Sequence, residues 1–209
     1  MIRRRLLVGL PGLCCLGPAA GIAADTAIAA DDPPVGLVPR YLLRDPNGRA
    51  VTEGDFRGRF QLVTFGYTFC PDICPTTLST LAEAMKTLGA DADRVQVLFV
   101  SVDPERDTPE QLKAYTAFFD PRILGLSASP ELVRAAADRF KVRYEKVSEP
   151  GAPPDRYSVD HSAGIYLLGT SGEFLHKFAY QTPPVEIAGR LQAYFAQSSR
   201  PRERRLSPQ

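Results

Sequence analysis

The chain has 209 residues, 44% of them hydrophobic, which is enough for one domain with a full core. Its 25 basic and 24 acidic residues give a formal charge of +1. Arg3–Arg5 and the tail after Gln197 each carry a net +3, so removing both from +1 leaves −5 on the body, and an acidic body argues against nucleic acid as a partner.

The chain opens MIRRRLLVGLPGLCCLGPAAGIAAD, with three arginines before an uncharged stretch from Leu6 to Ala24. That is the layout of an export signal. Gly21-Ile22-Ala23 and Ala27-Ile28-Ala29 both place small residues where a signal peptidase needs them. The uncharged stretch is also long enough to stay as a membrane anchor, although Pro11, Pro18 and four glycines favour cleavage. Residues 1–24 are therefore read as a signal peptide or anchor, and membrane contact through the N-terminus follows if they are retained. Either way the domain lies outside the cytoplasm, where disulfides are permitted. Cys14 and Cys15 belong to this segment and are set aside. Residues 25–37 are small, acidic and proline-bearing, and read as a linker.

Tyr41–Leu43 and Ala50–Val51 flank the turn sequence Asp45-Pro-Asn-Gly48, which predicts a hairpin. Leu62–Phe65 is a short apolar run suited to a buried strand. From Pro75, Leu78, Leu81, Met85 and Leu88 recur as on one face of a helix that Gly89 ends. Val95–Val102 is a second buried strand. Thr108 is placed to cap a helix with Pro109 at its first position and Gln111 completing a capping box; Leu112, Tyr115, Thr116 and Phe119 form its inner face. Ile123–Leu126 is a short strand. Ser129-Pro130 starts a helix that turns Val133, Ala136, Ala137 and Phe140 to one side. Val142–Val147 is extended, and Glu149–Asp160, with its prolines, is a loop. Ala163–Leu168 and Glu173–Phe178 are strands joined by Gly169-Thr-Ser-Gly172, and Pro184–Ala196 is the last helix. Strands alternating with helices, then a closing hairpin and helix, predict an α/β domain with a central mixed sheet. Residues 198–209 form a basic tail read as disordered.

The chemistry centres on Gln61–Leu81, QLVTFGYTFCPDICPTTLSTL. Pro75 suits the first helical position, which puts Cys74 at the N-cap and Cys70 in the loop before it. Thiols there face the positive end of the helix dipole, which favours the thiolate. Three residues separate the cysteines, not the two of a thioredoxin-type dithiol. Such a loop can close a disulfide or hold both sulfurs about a metal. A purely structural bridge over so short a loop would remove little chain entropy. Soft thiolates select Cu(I) or zinc, and imidazole suits either. Of the two histidines, His176 alternates with apolar neighbours and reads as a surface residue. His161 precedes a central strand, and Asp160 beside it is placed to orient the ring.

GYTFCPDICPTTL, SVDPERDTPEQLKAY and VDHSAGIYLLGTSGEF together resemble the three signatures of the Sco/SenC family, thioredoxin-fold copper chaperones for cytochrome c oxidase assembly. The resemblance spans about Val38 to Phe195, within a domain taken as residues 38–197, and implies a thioredoxin-like fold. Carried over by motif, it implies one copper, Cu(I) or Cu(II), held by Cys70, Cys74 and His161. Asp103 falls on an acidic position near the site and counts as support, not as a ligand. The resemblance further implies reduced cysteines, a bacterial periplasmic location, a thiol reductant or copper donor protein, and delivery to the oxidase subunit carrying the dinuclear copper site. It also implies a mobile loop before His161, letting the ring approach or leave the sulfurs. The arginine-rich tail is not part of the family pattern.

Three other readings use the same residues. A thiol–disulfide oxidoreductase would use Cys70 and Cys74 as a redox-active pair to keep the oxidase subunit's cysteines reduced, and would not need His161. A peroxiredoxin site, Pro-x-x-x-Thr-x-x-Cys, fits neither cysteine, since Val63 and Tyr67 precede Cys70 at those positions and Tyr67 and Pro71 precede Cys74. A copper or redox sensor would share every residue with the chaperone.

Overall fold

A computed structural model describes residues 32–153 and 155–198. The segment read as an export signal or anchor, with Cys14 and Cys15, the first part of the stretch read as linker and the tail beyond Ser198 lie outside the described residues. In chain order the elements are β1 (Leu42–Arg44), β2 (Ala50–Thr52), β3 (Phe60–Gly66), α1 (Ile73–Leu88), β4 (Val95–Ser101), α2 (Pro109–Phe119) and β5 (Ile123–Leu126). There follow α3 (Pro130–Arg139), β6 (Tyr144–Val147), β7 (Ser158–His161), β8 (Ile165–Leu168), β9 (Phe174–Phe178) and α4 (Pro184–Ser198).

The central sheet has the order β5-β4-β3-β8-β9. β3, β4 and β5 run parallel, and β8 and β9 return antiparallel. Every residue of β3 is buried, as in a largely apolar strand covered on both faces. The one long polar side chain in it, Gln61, is hydrogen-bonded through both its oxygen and its nitrogen. It accepts from the Tyr41 hydroxyl at 3.0 Å and donates to the Glu53 carbonyl at 3.2 Å, which removes the penalty of burying an amide. Helices flank this mixed sheet, the thioredoxin-like arrangement that the resemblance implied.

The helices attach through the predicted faces. α1 buries Leu78, Leu81, Met85 and Leu88, each stabilising by about 1.5–3 kcal/mol. It packs against α4, whose Ile187, Ala188, Leu191 and Phe195 are buried. α2 lies on β5, where Leu112 sits over Gly125 so closely that an added β-carbon would be 2.6 Å from its Cγ.

Two small pairs stand apart from the sheet. β1 and β2 form the expected hairpin. Its turn is held by Asp45 Oδ1, which accepts from the Asn47 and Arg49 N–H groups at 2.9 and 3.0 Å. β6 and β7 form an antiparallel ribbon, with Tyr144 opposite His161 at one end and Val147 opposite Ser158 at the other. The loop expected over Glu149–Asp160 is thus shorter, because Ser158 to Asp160 belong to β7. Alternation in Ser-Val-Asp-His is the strand signal, and the preceding prolines hid it. Of the stretch read as linker, Asp32–Leu37 lies along β9. Gly36 N–H donates to the Phe174 carbonyl at 2.8 Å, and Lys177 Nζ pairs with Asp32 at 2.6 Å.

One helix start and one capping box differ from the reading. α1 begins at Ile73 with Asp72 as N-cap, so Cys74 lies inside the first turn and Pro75 follows it. Proline tolerates any first-turn position, since none of those N–H groups has an intrahelical partner. Thr108 does cap α2, its hydroxyl accepting from Gln111 N–H at 3.2 Å. The Gln111 amide does not close the box, however; it donates to Thr68 Oγ1 at 2.9 Å. A tertiary partner has replaced the local one.

Candidate metal centre

β3 ends at Gly66, and the chain turns through Tyr67–Asp72 into α1. Asp72 makes no side-chain capping bond. The free N–H groups of Asp72 and Cys74 instead point to the Cys70 sulfur. Cys70 therefore caps the helix, and the partial positive charge there favours its thiolate. Cys74 is buried at 2% exposure, whereas Cys70 is only partly covered. The Cys74 sulfur rests on the backbone of β3. A β-carbon on Gly66 would lie 2.6 Å from that sulfur and 2.8 Å from the Phe99 ring. Glycine is thus required for close approach, not for turn geometry.

Both thiols are free, and they behave as one acid. The hydrogen bond from Cys74 brings the Cys70 thiol down to about 5. The N–H groups of Asp72 and Cys74 act in the same sense, and burial opposes them. Cys74, the donor in that bond and enclosed by apolar groups, is pushed up and keeps its proton. At neutral pH the pair carries a single negative charge on the exposed sulfur.

His161 closes β7. Its Nε2 lies 3.5 Å from Cys74 Sγ and its Nδ1 3.3 Å from the Ser162 carbonyl. With Nδ1–H donating to that carbonyl, the Nε2 lone pair faces the sulfurs, the ring state that a metal ligand needs. The Tyr67 ring stands edge-on to the imidazole at 6.1 Å, and its hydroxyl accepts from the Val159 N–H, one strand position from the ring's neighbour. Asp160 is exposed and is not the ring's partner; the Ser162 backbone takes that role. The three candidate ligand atoms, Cys70 Sγ, Cys74 Sγ and His161 Nε2 or Nδ1, all lie within 4.8 Å of one another. A metal with bonds of about 2.0–2.3 Å reaches all three with small side-chain shifts.

His176 lies elsewhere, on β9. It is half-buried with its ring 4.7 Å from that of Phe178, and burial lowers its pKa. It is neither fully a surface residue nor a member of the group. Asp103 is wholly buried and is also outside the ligand set. It accepts from the Tyr157 hydroxyl at 2.8 Å and from Arg106 Nε at 2.6 Å. Sequence reasoning missed its neighbour Asp107. That carboxylate is 2% exposed and accepts from Thr68 Oγ1 at 2.7 Å, from Thr68 N–H at 3.2 Å and from Ser101 Oγ at 2.6 Å. It pins the loop two residues before Cys70, and burial pushes its carboxyl up. The only sequence signal was two aspartates four apart beside a predicted strand end, which does not reveal what they hold.

The fold and the Cys-Cys-His group define a thioredoxin-like protein able to hold a soft metal ion. The sequence profile of the SCO1/SenC family matches residues 30–196, and the chain belongs to that family. It is 33% identical over 186 residues to an SCO2-like protein of Rickettsia felis, covering 87% of this chain and 89% of that one. Among solved structures it is similar to Bradyrhizobium japonicum ScoI with copper bound, at 40% identity and a TM-score of 0.68, covering 77% of this chain and 99% of that one. It is similar too to BsSco, at 25% identity and a TM-score of 0.58, covering 81% and 98%. BsSco is described as a member of the Sco family of cytochrome c oxidase assembly proteins with a disulfide switch.

Proposed function

We propose that this protein is a copper chaperone that binds one copper through Cys70, Cys74 and His161 and delivers it to the dinuclear copper site of cytochrome c oxidase. The observation that carries the reading is the convergence of two sulfurs and an imidazole nitrogen within 4.8 Å. Copper in the solved structure of a 40% identical relative supports it, as does the oxidase-assembly role stated for BsSco. The thiols must be reduced before they can serve as ligands. Delivery then proceeds by ligand exchange, and the partly exposed Cys70 is the sulfur that an incoming thiolate meets first. The partners are the copper-bearing oxidase subunit and a thiol reductant or copper donor. The place is the bacterial periplasm, soluble or held at the inner membrane by the N-terminal segment. No helix among the described residues is long and apolar enough to cross a membrane.

One observation favours a second activity. A thiol at about 5 beside a buried, protonated partner is an attacking sulfur with its resolving sulfur in place. The same pair can therefore reduce the oxidase subunit's cysteines. His161→Ala separates the two. Cu(II) prefers nitrogen and a higher coordination number than two sulfurs supply, so the variant loses stable Cu(II) binding and oxidase assembly but keeps disulfide exchange. Copper binding followed by absorption and disulfide reduction with a small thiol, on the same variant, give the two readouts. Oxidase assembly that survives His161→Ala in cells would overturn the chaperone reading in favour of the reductase. Full-strength copper binding by Cys70→Ala or Cys74→Ala would overturn the ligand assignment.

A further inference from the structure

The strand that carries His161 has little core of its own. β6 and β7 pair only with each other, and Val159 is the one buried residue in the two strands. A lone two-stranded ribbon is marginal in water, so other groups must fix where His161 stands. At the His161 end, Arg134 Nη1 donates to the Tyr144 carbonyl at 3.3 Å and the Val159 N–H reaches the Tyr67 hydroxyl. On the opposite side the ribbon meets the Asp103–Asp107 loop, and there the contacts concentrate on two residues.

Tyr157, immediately before β7, donates its hydroxyl to buried Asp103 Oδ1 at 2.8 Å. Arg106 grips the other oxygen through Nε at 2.6 Å and donates from Nη1 to the Tyr157 carbonyl at 3.0 Å. Its guanidinium lies 3.6 Å from the centre of the Tyr157 ring and 4.9 Å from that of Phe69, the residue before Cys70. One planar cation thus joins the cysteine loop to the entry of the histidine strand. Lys146 of β6 pairs with Glu105 of the same loop at 2.6 Å.

We propose that Arg106 and Tyr157 are positioning residues, a latch that holds the β6–β7 ribbon closed so that the His161 imidazole meets the two sulfurs. Releasing the latch swings the ribbon and its histidine away and leaves the central sheet and both cysteines in place. The device rests on the copper reading only for its effect on the metal; the latch itself is measurable in metal-free protein.

The test uses two variants of the full chain. Tyr157→Phe removes the bond to Asp103 and keeps the ring. Arg106→Lys keeps a cation beside Asp103 and loses both the bond to the Tyr157 carbonyl and the flat stack. Amide hydrogen exchange on the reduced, metal-free protein is expected to speed up by about 10-fold or more in β6 and β7, given the strength of hydrogen bonds to charged groups. β3, β4 and β8 should keep wild-type rates. Loss of Cu(II) to a chelator should quicken by a similar factor, with the nitrogen signature in the electron paramagnetic resonance spectrum retained while copper remains bound. Unchanged ribbon exchange overturns the proposal. So does equal acceleration in all strands, which is what a merely structural role produces. Should Tyr157→Phe fail to fold because Asp103 is left unpaired, Arg106→Lys decides by the same criteria. If the wild-type protein binds no copper, the chaperone reading fails, and the exchange rates still decide the latch.

Discussion

The behaviour of the two sulfurs follows from the hydrogen bond that Cys74 donates to Cys70, to which burial adds at Cys74. Cys70 has a folded pKa of about 5, below its ordinary value, so its thiolate stabilises the fold at high pH, and that contribution is lost as pH falls through about 5. In the metal-free reduced protein, iodoacetamide should label Cys70 first, with a rate that falls as pH drops through the same value, while Cys74 resists until the protein unfolds. Mass spectrometry of the labelled peptides checks this, and prior labelling of Cys74 would contradict it. Gly66 belongs to the same scale. Gly66→Ala drives a β-carbon against Cys74 Sγ and Phe99. Overpacking of that kind costs about 1–3 kcal/mol, read as a lower urea midpoint, and the displaced sulfur should also weaken copper binding.

Among the elements, the loop between β3 and α1 is tied to α2 and the turn before it by side chains. Asp107 binds Thr68, and Gln111 binds the same hydroxyl. Because burial raises the Asp107 pKa, the folded state holds that proton more tightly than the unfolded chain. Its contribution to stability is therefore full below the unfolded value near 3.9 and declines as pH rises through the folded one. Urea unfolding of the wild type and Asp107→Asn at several pH values should show the wild type losing stability relative to the variant over that rise; a constant difference would refute it. These ties also mark where sequence legibility ended. β3, β4, β5 and the buried faces of α1 and α4 were readable from apolar period alone. So was the Cys70–Cys74 pair, because strand, loop and helix are local patterns. The start of α1 was misplaced because Cys70, outside the helix, supplies the cap. Gln111 looked like a capping-box residue and serves Thr68. The joint role of Arg106 and Tyr157 gave no signal, since the two meet across 51 positions of chain, and Gly66 revealed nothing of the sulfur it accommodates.

Across the whole molecule, the five-stranded sheet with α1 and α4 forms a firm base, and the hairpin and ribbon are additions at its margins. Core and centre should respond separately to mutation. Leu81→Ala removes a fully buried side chain of α1 and should cost about 2–5 kcal/mol, measured by urea unfolding. The copper spectrum of the folded fraction should be unchanged, because Leu81 lies about two turns beyond Cys74 along α1. A shifted spectrum would show that core and centre are coupled.

The two sulfurs are four residues apart in the chain, but the imidazole is 87 residues from Cys74. An unfolded chain can offer the sulfur pair to a metal almost as well as the native protein does. It can offer the third ligand only after a long loop has closed, at an entropic cost. Ligand-linked stabilisation counts only the excess of native over unfolded affinity. The shift in melting temperature on loading copper is therefore a gauge of the histidine's share of the binding. An ion that stays on two sulfurs hardly raises it, and a chain can pick up such an ion before its fold is complete.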